Sequence, residues 1–96
     1  MSSDNTRKLD LAGNDVVAVS GTSAQSAAMQ TREIQLVSTT NCWIKFGTNP
    51  TAVANTDDNQ YLPANTVWTI KWQPGDEVAV IQDSAAGYLV VTPVGY

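Results

Sequence analysis

The sequence predicts an all-β fold: a small jelly-roll-like sandwich or barrel of short antiparallel strands. Three observations lead there. Residues 32 to 92 read as consecutive short runs of β-branched and aromatic residues, several with apolar side chains at every second position. Turn-forming clusters separate those runs at roughly the 8–12-residue spacing of sandwiches and barrels. Pro, Gly, Asn and β-branched residues break every helical window after residue 31. The reading gives six or seven short strands and no long repeat.

The elements follow in order. Residues 1 to 14 are mostly polar, with Leu9 and Leu11 the sizeable apolar residues after Met1. They form no core of their own and are expected to be an N-terminal arm that orders only on a partner. A single β domain then spans 15 to 96. Asp15 to Ser20 is a short β-branched strand closed by Gly21. Residues 22 to 30 allow one helical turn at Ala27 to Gln30 or a small-residue extended segment, and the flanking strands favour the extended form.

From Arg32 to Thr39, Ile34 and Leu36 share one face while Glu33, Gln35 and Val37 share the other. Thr40-Asn41 turns the chain. Cys42, Ile44 and Phe46 form a second inward row, with Trp43 and Lys45 opposite, until Gly47-Thr48-Asn49-Pro50 ends the strand. Residues 51 to 60 form a polar loop. Trp68, Ile70 and Trp72 share a face of the next strand. In Gln73-Pro74-Gly75-Asp76, Pro pre-sets φ at the first central position and Gly supplies positive φ at the second, a type II turn. Glu77 to Gln82 is a strand, Asp83 to Gly87 a turn, and Tyr88 to Thr92 the last strand. It is expected to pair with 77–82 as a hairpin and to stop at Pro93.

Composition narrows the function. The chain has no His, one Cys and five basic residues against nine acidic, for a net charge of −4. Acid–base work near neutral pH leans on His, and zinc sites lean on His and Cys clusters, so an enzyme is not expected. The scattered bases, Arg7, Lys8, Arg32, Lys45 and Lys71, make no phosphate-neutralising stripe, which argues against nucleic-acid binding. No apolar run approaches the ~18 residues of a membrane span. Met1-Ser-Ser-Asp-Asn lacks the apolar region of a secretory signal. A lone thiol suits a reducing cytoplasm. No cofactor is expected. A core this small, without an internal disulfide, points to oligomerisation as the remaining source of stability.

Apparent sites dissolve on inspection. Ser20-Gly21-Thr22-Ser23-Ala24 lacks the glycine spacing of a nucleophile elbow and has no His to serve it. Asn55, Asp57, Asp58 and Asn59 offer oxygens, but not at the spacing of a calcium-binding loop. Asp76-Glu77 are adjacent, whereas glycosidase carboxylates face each other across a cleft. Cys42 falls on an inward position with no cationic neighbour to activate it. Trp43, Tyr61, Trp68, Trp72 and Tyr88 remain: they fill core and interface, or they line a sugar-binding face. Trp43 points away from the face of Ile44, and an outward Trp marks a contact with another chain. Leu9, Leu11, Trp43 and Tyr61 are therefore the expected interface residues.

One stretch carries a resemblance. Arg32-Glu33-Ile34-Gln35-Leu36-Val37-Ser38-Thr39-Thr40-Asn41-Cys42-Trp43-Ile44-Lys45-Phe46-Gly47-Thr48-Asn49-Pro50-Thr51-Ala52 resembles a segment of small tailed-bacteriophage β-sandwich virion proteins. The preceding Val19 to Ala28 fits the same group. So do Tyr61-Leu62-Pro63-Ala64, Pro74-Gly75-Asp76, Val78-Ala79-Val80-Ile81 and the turn at Gly87, so that the likeness covers residues 16 to 93. Its motifs are structural turns and bring no catalytic residues. The resemblance implies a head decoration (cement) protein on the capsid surface, made in the host cytoplasm. Its implied partners are the major capsid protein and further copies of itself, with a homotrimer expected. A tail or neck component and a carbohydrate-binding module with an aromatic face are the alternatives.

Overall fold

The computed structural model describes residues 8, 9 and 13 to 95. Among the described residues there are nine strands: β1 (Lys8–Leu9), β2 (Asp15–Val19), β3 (Ala24–Gln25), β4 (Glu33–Ser38), β5 (Cys42–Gly47), β6 (Gln60–Leu62), β7 (Trp68–Lys71), β8 (Glu77–Gln82) and β9 (Gly87–Gly95). No helix of regular length occurs among the described residues, and the small-residue segment 22 to 30 is extended around β3.

Two antiparallel sheets divide these strands. The first, sheet A, runs β1-β9-β4-β7, with β2 also on β9. The second, sheet B, runs β3-β8-β5-β6. The pairing follows a rule. β2 pairs β9, β3 pairs β8, β4 pairs β7 and β5 pairs β6, alternating between the sheets. The eight strands β2 to β9 thus form one long hairpin rolled into two layers, which is the jelly-roll topology. The pairs β4·β9 and β5·β8 close the roll.

Alternation builds the core between the sheets. Val17, Val19, Ile34, Leu36, Leu89 and Val91 project from sheet A, and Cys42, Ile44, Leu62, Val78 and Val80 from sheet B, all buried in one cluster. Each such aliphatic side chain contributes about 1.5–3 kcal/mol by leaving water. Trp72 is buried in the same cluster, while Trp68 and Ile70 pack against it partly exposed.

Three expectations need correction. β8 and β9 do not form a hairpin: β8 lies in sheet B between β3 and β5, and β9 lies in sheet A between β2 and β4. Both edges of each strand are already filled, so residues 83 to 86 cross between layers. They run antiparallel beside the crossover from β4 to β5. Thr39 N–H donates to Tyr88 O at 2.9 Å, Thr40 Oγ1 to Ala85 O at 3.0 Å and Asp83 N–H to Asn41 O at 3.1 Å. Second, β9 continues through Pro93 to Gly95. Pro93 falls after the last β2 partner, Val91, and before the first β1 partner, Val94, where its missing N–H interrupts no ladder on that edge. Third, Phe46 is 39% exposed, because it lies near the end of β5, where the inward row runs out to the rim.

The type II turn forms as expected, with Gly75 at φ 94° and Asp76 N–H bonded to Gln73 O at 3.0 Å. Of the arm, 1 to 14, most lies outside the described residues. Within it, Lys8–Leu9 pairs with Gly95 and Val94 of β9.

Candidate functional site

Strand register decides which outward side chains meet. On sheet B, Trp43 of β5 stands opposite Tyr61 of β6 on one side and Ile81 of β8 on the other. A pleated strand turns successive side chains to opposite faces. Cys42 and Ile44 face the core, so Trp43 faces out, and the three outward residues form a row across the sheet. The rings of Trp43 and Tyr61 meet edge-to-face, centroids 5.1 Å apart at 61°. That geometry is the preferred one for aromatic quadrupoles. The structure therefore brings together two of the four expected interface residues. Leu9 is paired through its backbone to Val94, and Leu11 lies outside the described residues.

The indole is held at its polar edge as well. Trp43 Nε1–H donates to Asp83 Oδ1 at 3.1 Å. Asp83 sits in the β8–β9 crossover, so the jelly-roll topology itself delivers this carboxylate to Trp43. Beside the indole lies an open depression of about 510 Å³, lined by Trp43, Asn55, Thr56, Asp57, Asp58 and Asn59. The loop that forms its other wall is braced from within. Asn59 Oδ1 accepts Val53 N–H at 3.0 Å, Asn59 Nδ2 donates to Asp57 O at 3.2 Å, and Thr56 Oγ1 donates to Ala54 O at 3.0 Å. Asn55 and Asp58 take left-handed conformations, φ 57° and 69°, which Asn and Asp tolerate best among residues with side chains.

The other residues singled out in the sequence have structural work. Glu77 Oε1 accepts Asn49 N–H at 2.8 Å and Oε2 accepts from Gln25 Nε2 at 3.4 Å, so this carboxylate fastens β3 and the β5 turn to β8. Ser20 Oγ accepts Thr22 N–H within its own turn. Cys42 is fully buried; burial pushes its thiol up, partly offset by the Ser38 hydroxyl. Trp72 packs edge-to-face on Phe46 at 5.1 Å, and its Nε1–H has no hydrogen-bond partner among the described residues. Among those residues no three His, Cys, Asp or Glu side chains come together to hold a metal ion.

Sheet A also exposes an apolar face. Val16, Val90 and Val37 stand directly opposite one another on β2, β9 and β4, and Ala18 stands opposite Tyr88. Val16 and Tyr88 are exposed. The sequence pattern marked Trp43 as outward but missed its partners Asp83 and the 55–59 loop, because both depend on register between distant strands.

No protein-family profile matches the chain, and no similar curated protein or solved structure is found.

Proposed function

We propose that the chain is a structural bacteriophage virion protein of the capsid-decorating type, docking through the outer face of sheet B. The observation that carries the reading is the Trp43–Tyr61 pair. It is aromatic, partly exposed and fixed before any partner arrives, by ring packing and by Asp83. Fixed aromatic side chains lose little entropy on binding and dominate interface energies. The resemblance of residues 16 to 93 supports the phage assignment. The jelly roll fits it, since the architecture recurs in viral capsid proteins, although a fold by itself does not assign a function. The proposed partners are the major capsid protein and two further copies of the chain, and the proposed location is the capsid surface. Chemistry is no part of this role.

Cosedimentation with phage heads that lack the protein tests the reading. Wild type is expected in the pellet, and Trp43→Ala in the supernatant, with light scattering giving a trimer for the wild type. Trp43→Ala should cost about 0.5–3 kcal/mol of stability, from the lost ring pair, its buried area and the bond to Asp83, and should still fold. A wild-type chain that stays soluble and monomeric beside such heads defeats the proposal. The depression beside Trp43 favours a second reading, a carbohydrate-binding module, because an aromatic wall facing amides and carboxylates suits a pyranose. Quenching of Trp fluorescence by a sugar picked out on a glycan array would favour it.

A further inference from the structure

We propose that the depression between Trp43 and the 55–59 loop receives an arginine side chain of the docking partner. The inference rests on the docking reading above and specifies what the face recognises. The depression has an indole wall and two carboxylate residues, Asp57 and Asp58, and no basic residue lines it. Asp83 adds a third carboxylate on the indole N–H of the same Trp43, outside the lining of the depression. Lys45 lies two residues along β5, opposite Ala79, and does not line the depression.

Each part favours a planar cation. An aromatic face attracts a cation through its quadrupole, and Arg is the more frequent partner. A carboxylate accepting the indole N–H pushes electron density into the ring and makes that face more attractive still. Asp57 and Asp58 are exposed and make no side-chain hydrogen bond among the described residues, so their oxygens are available for a guanidinium fork. The loop that presents them is already folded by Asn59, so binding need not order it. A neutral sugar can hydrogen-bond to the amides and carboxylates but leaves the negative charge of Asp57 and Asp58 uncompensated, whereas a cation meets it. The charge complementarity therefore selects the cation.

The test titrates the full ¹⁵N-labelled chain with acetyl-Gly-Arg-Gly-amide at low salt, following the Trp43 indole N–H and the amides of residues 55 to 59. The same peptide with citrulline in place of arginine keeps the planar shape but removes the charge and exchanges a donor for a carbonyl acceptor, and N-acetylglucosamine serves as the neutral sugar. The arginine peptide should shift these signals in a salt-sensitive way. The citrulline peptide should bind about three- to tenfold more weakly, the range of one exposed cation–π contact with a charge-assisted hydrogen bond. The double variant Asp57→Asn/Asp58→Asn should lose the preference while folding normally, since both side chains are exposed and Asn accepts the left-handed backbone at 58. Equal binding of the two peptides, a preference unchanged in the double variant, or a response to the sugar alone overturns the inference. Head binding lost in Trp43→Ala without any arginine preference refutes this inference and keeps the docking reading. An arginine preference in a chain that ignores heads refutes the docking reading and keeps the cation site.

Discussion

The two outer faces of the sandwich expose apolar side chains in different ways. Sheet A shows a row of valines, Val16, Val90 and Val37, with Tyr88 beside it. Sheet B shows Tyr61, Trp43 and Ile81. On sheet B, side-chain bonding fixes the aromatic row: Asp83 holds the indole and Tyr61 packs against it. On sheet A the valines are stiff by β-branching, and among the described residues neither Val16 nor Tyr88 makes a side-chain hydrogen bond or ring contact. Exposed area alone therefore does not separate the faces. What separates them is that the jelly-roll crossover delivers a carboxylate to one and not to the other.

Both faces rest on one core, and that sets the largest expected effect. Leu36 lies at the centre of β4, fully buried in the shared cluster. Leu36→Ala should cost about 2–5 kcal/mol, by lost transfer energy and the cavity left behind. Thermal unfolding should remain a single transition, with the Trp43 indole and the β9 amides losing hydrogen-exchange protection together. Separate melting of the two sheets would break the comparison at its root, because the faces would then belong to independent units.

The strand alternation was legible in the sequence, and with it most of the core. Ile34 and Leu36 against Glu33 and Gln35, and Ile44 against Trp43, need only a period of two. Less could be read of anything set by pairing between distant strands. Asp83 to Gly87 has hairpin chemistry, yet it crosses layers because β3 and β5 already fill both edges of β8. Pro93 looked like a stop, yet it falls in the gap between two short edge partners. Phe46 kept the inward parity but lay too near the rim to be covered. The candidate site divides in the same way. Outward Trp43 was visible, while its meeting with Tyr61 and Asp83 rests on registers spanning 18 and 40 residues.

A middle-sized effect is expected at Gly87, where the β8–β9 crossover meets β9. A Cβ there would stand 2.5 Å from Thr39 Oγ1 and 2.8 Å from Thr40 Cγ2. Thr39 Oγ1 also accepts Tyr88 N–H at 2.9 Å, so the hydroxyl cannot withdraw without leaving that donor unpaired. Gly87→Ala should cost about 1–3 kcal/mol, as overpacking does, and should shift the amides around Thr39 and Tyr88. The same crossover carries Asp83, so the variant also asks how stiffly the two faces are joined. A shifted Trp43 indole signal would show strain reaching sheet B. An unshifted one, with the stability loss intact, would confine the effect to sheet A.

The smallest effect is expected from Tyr88→Ser, and it sharpens the comparison most. Tyr88 is 57% exposed on sheet A and makes no ring contact among the described residues. Its backbone bonds to Thr39 do not involve the ring. Surface substitutions of this kind usually change stability by within about 0.5 kcal/mol. Tyr88→Ser should therefore melt like the wild type and, on the proposed docking reading, cosediment with heads like the wild type, whereas Trp43→Ala should not. The two variants remove aromatic rings from opposite faces of one scaffold, and their contrast isolates the fixed face from the merely exposed one. Loss of head binding in Tyr88→Ser with Trp43→Ala unaffected would reverse the assignment and make sheet A the docking face. Loss in both would mean that the partner clasps the sandwich from both sides.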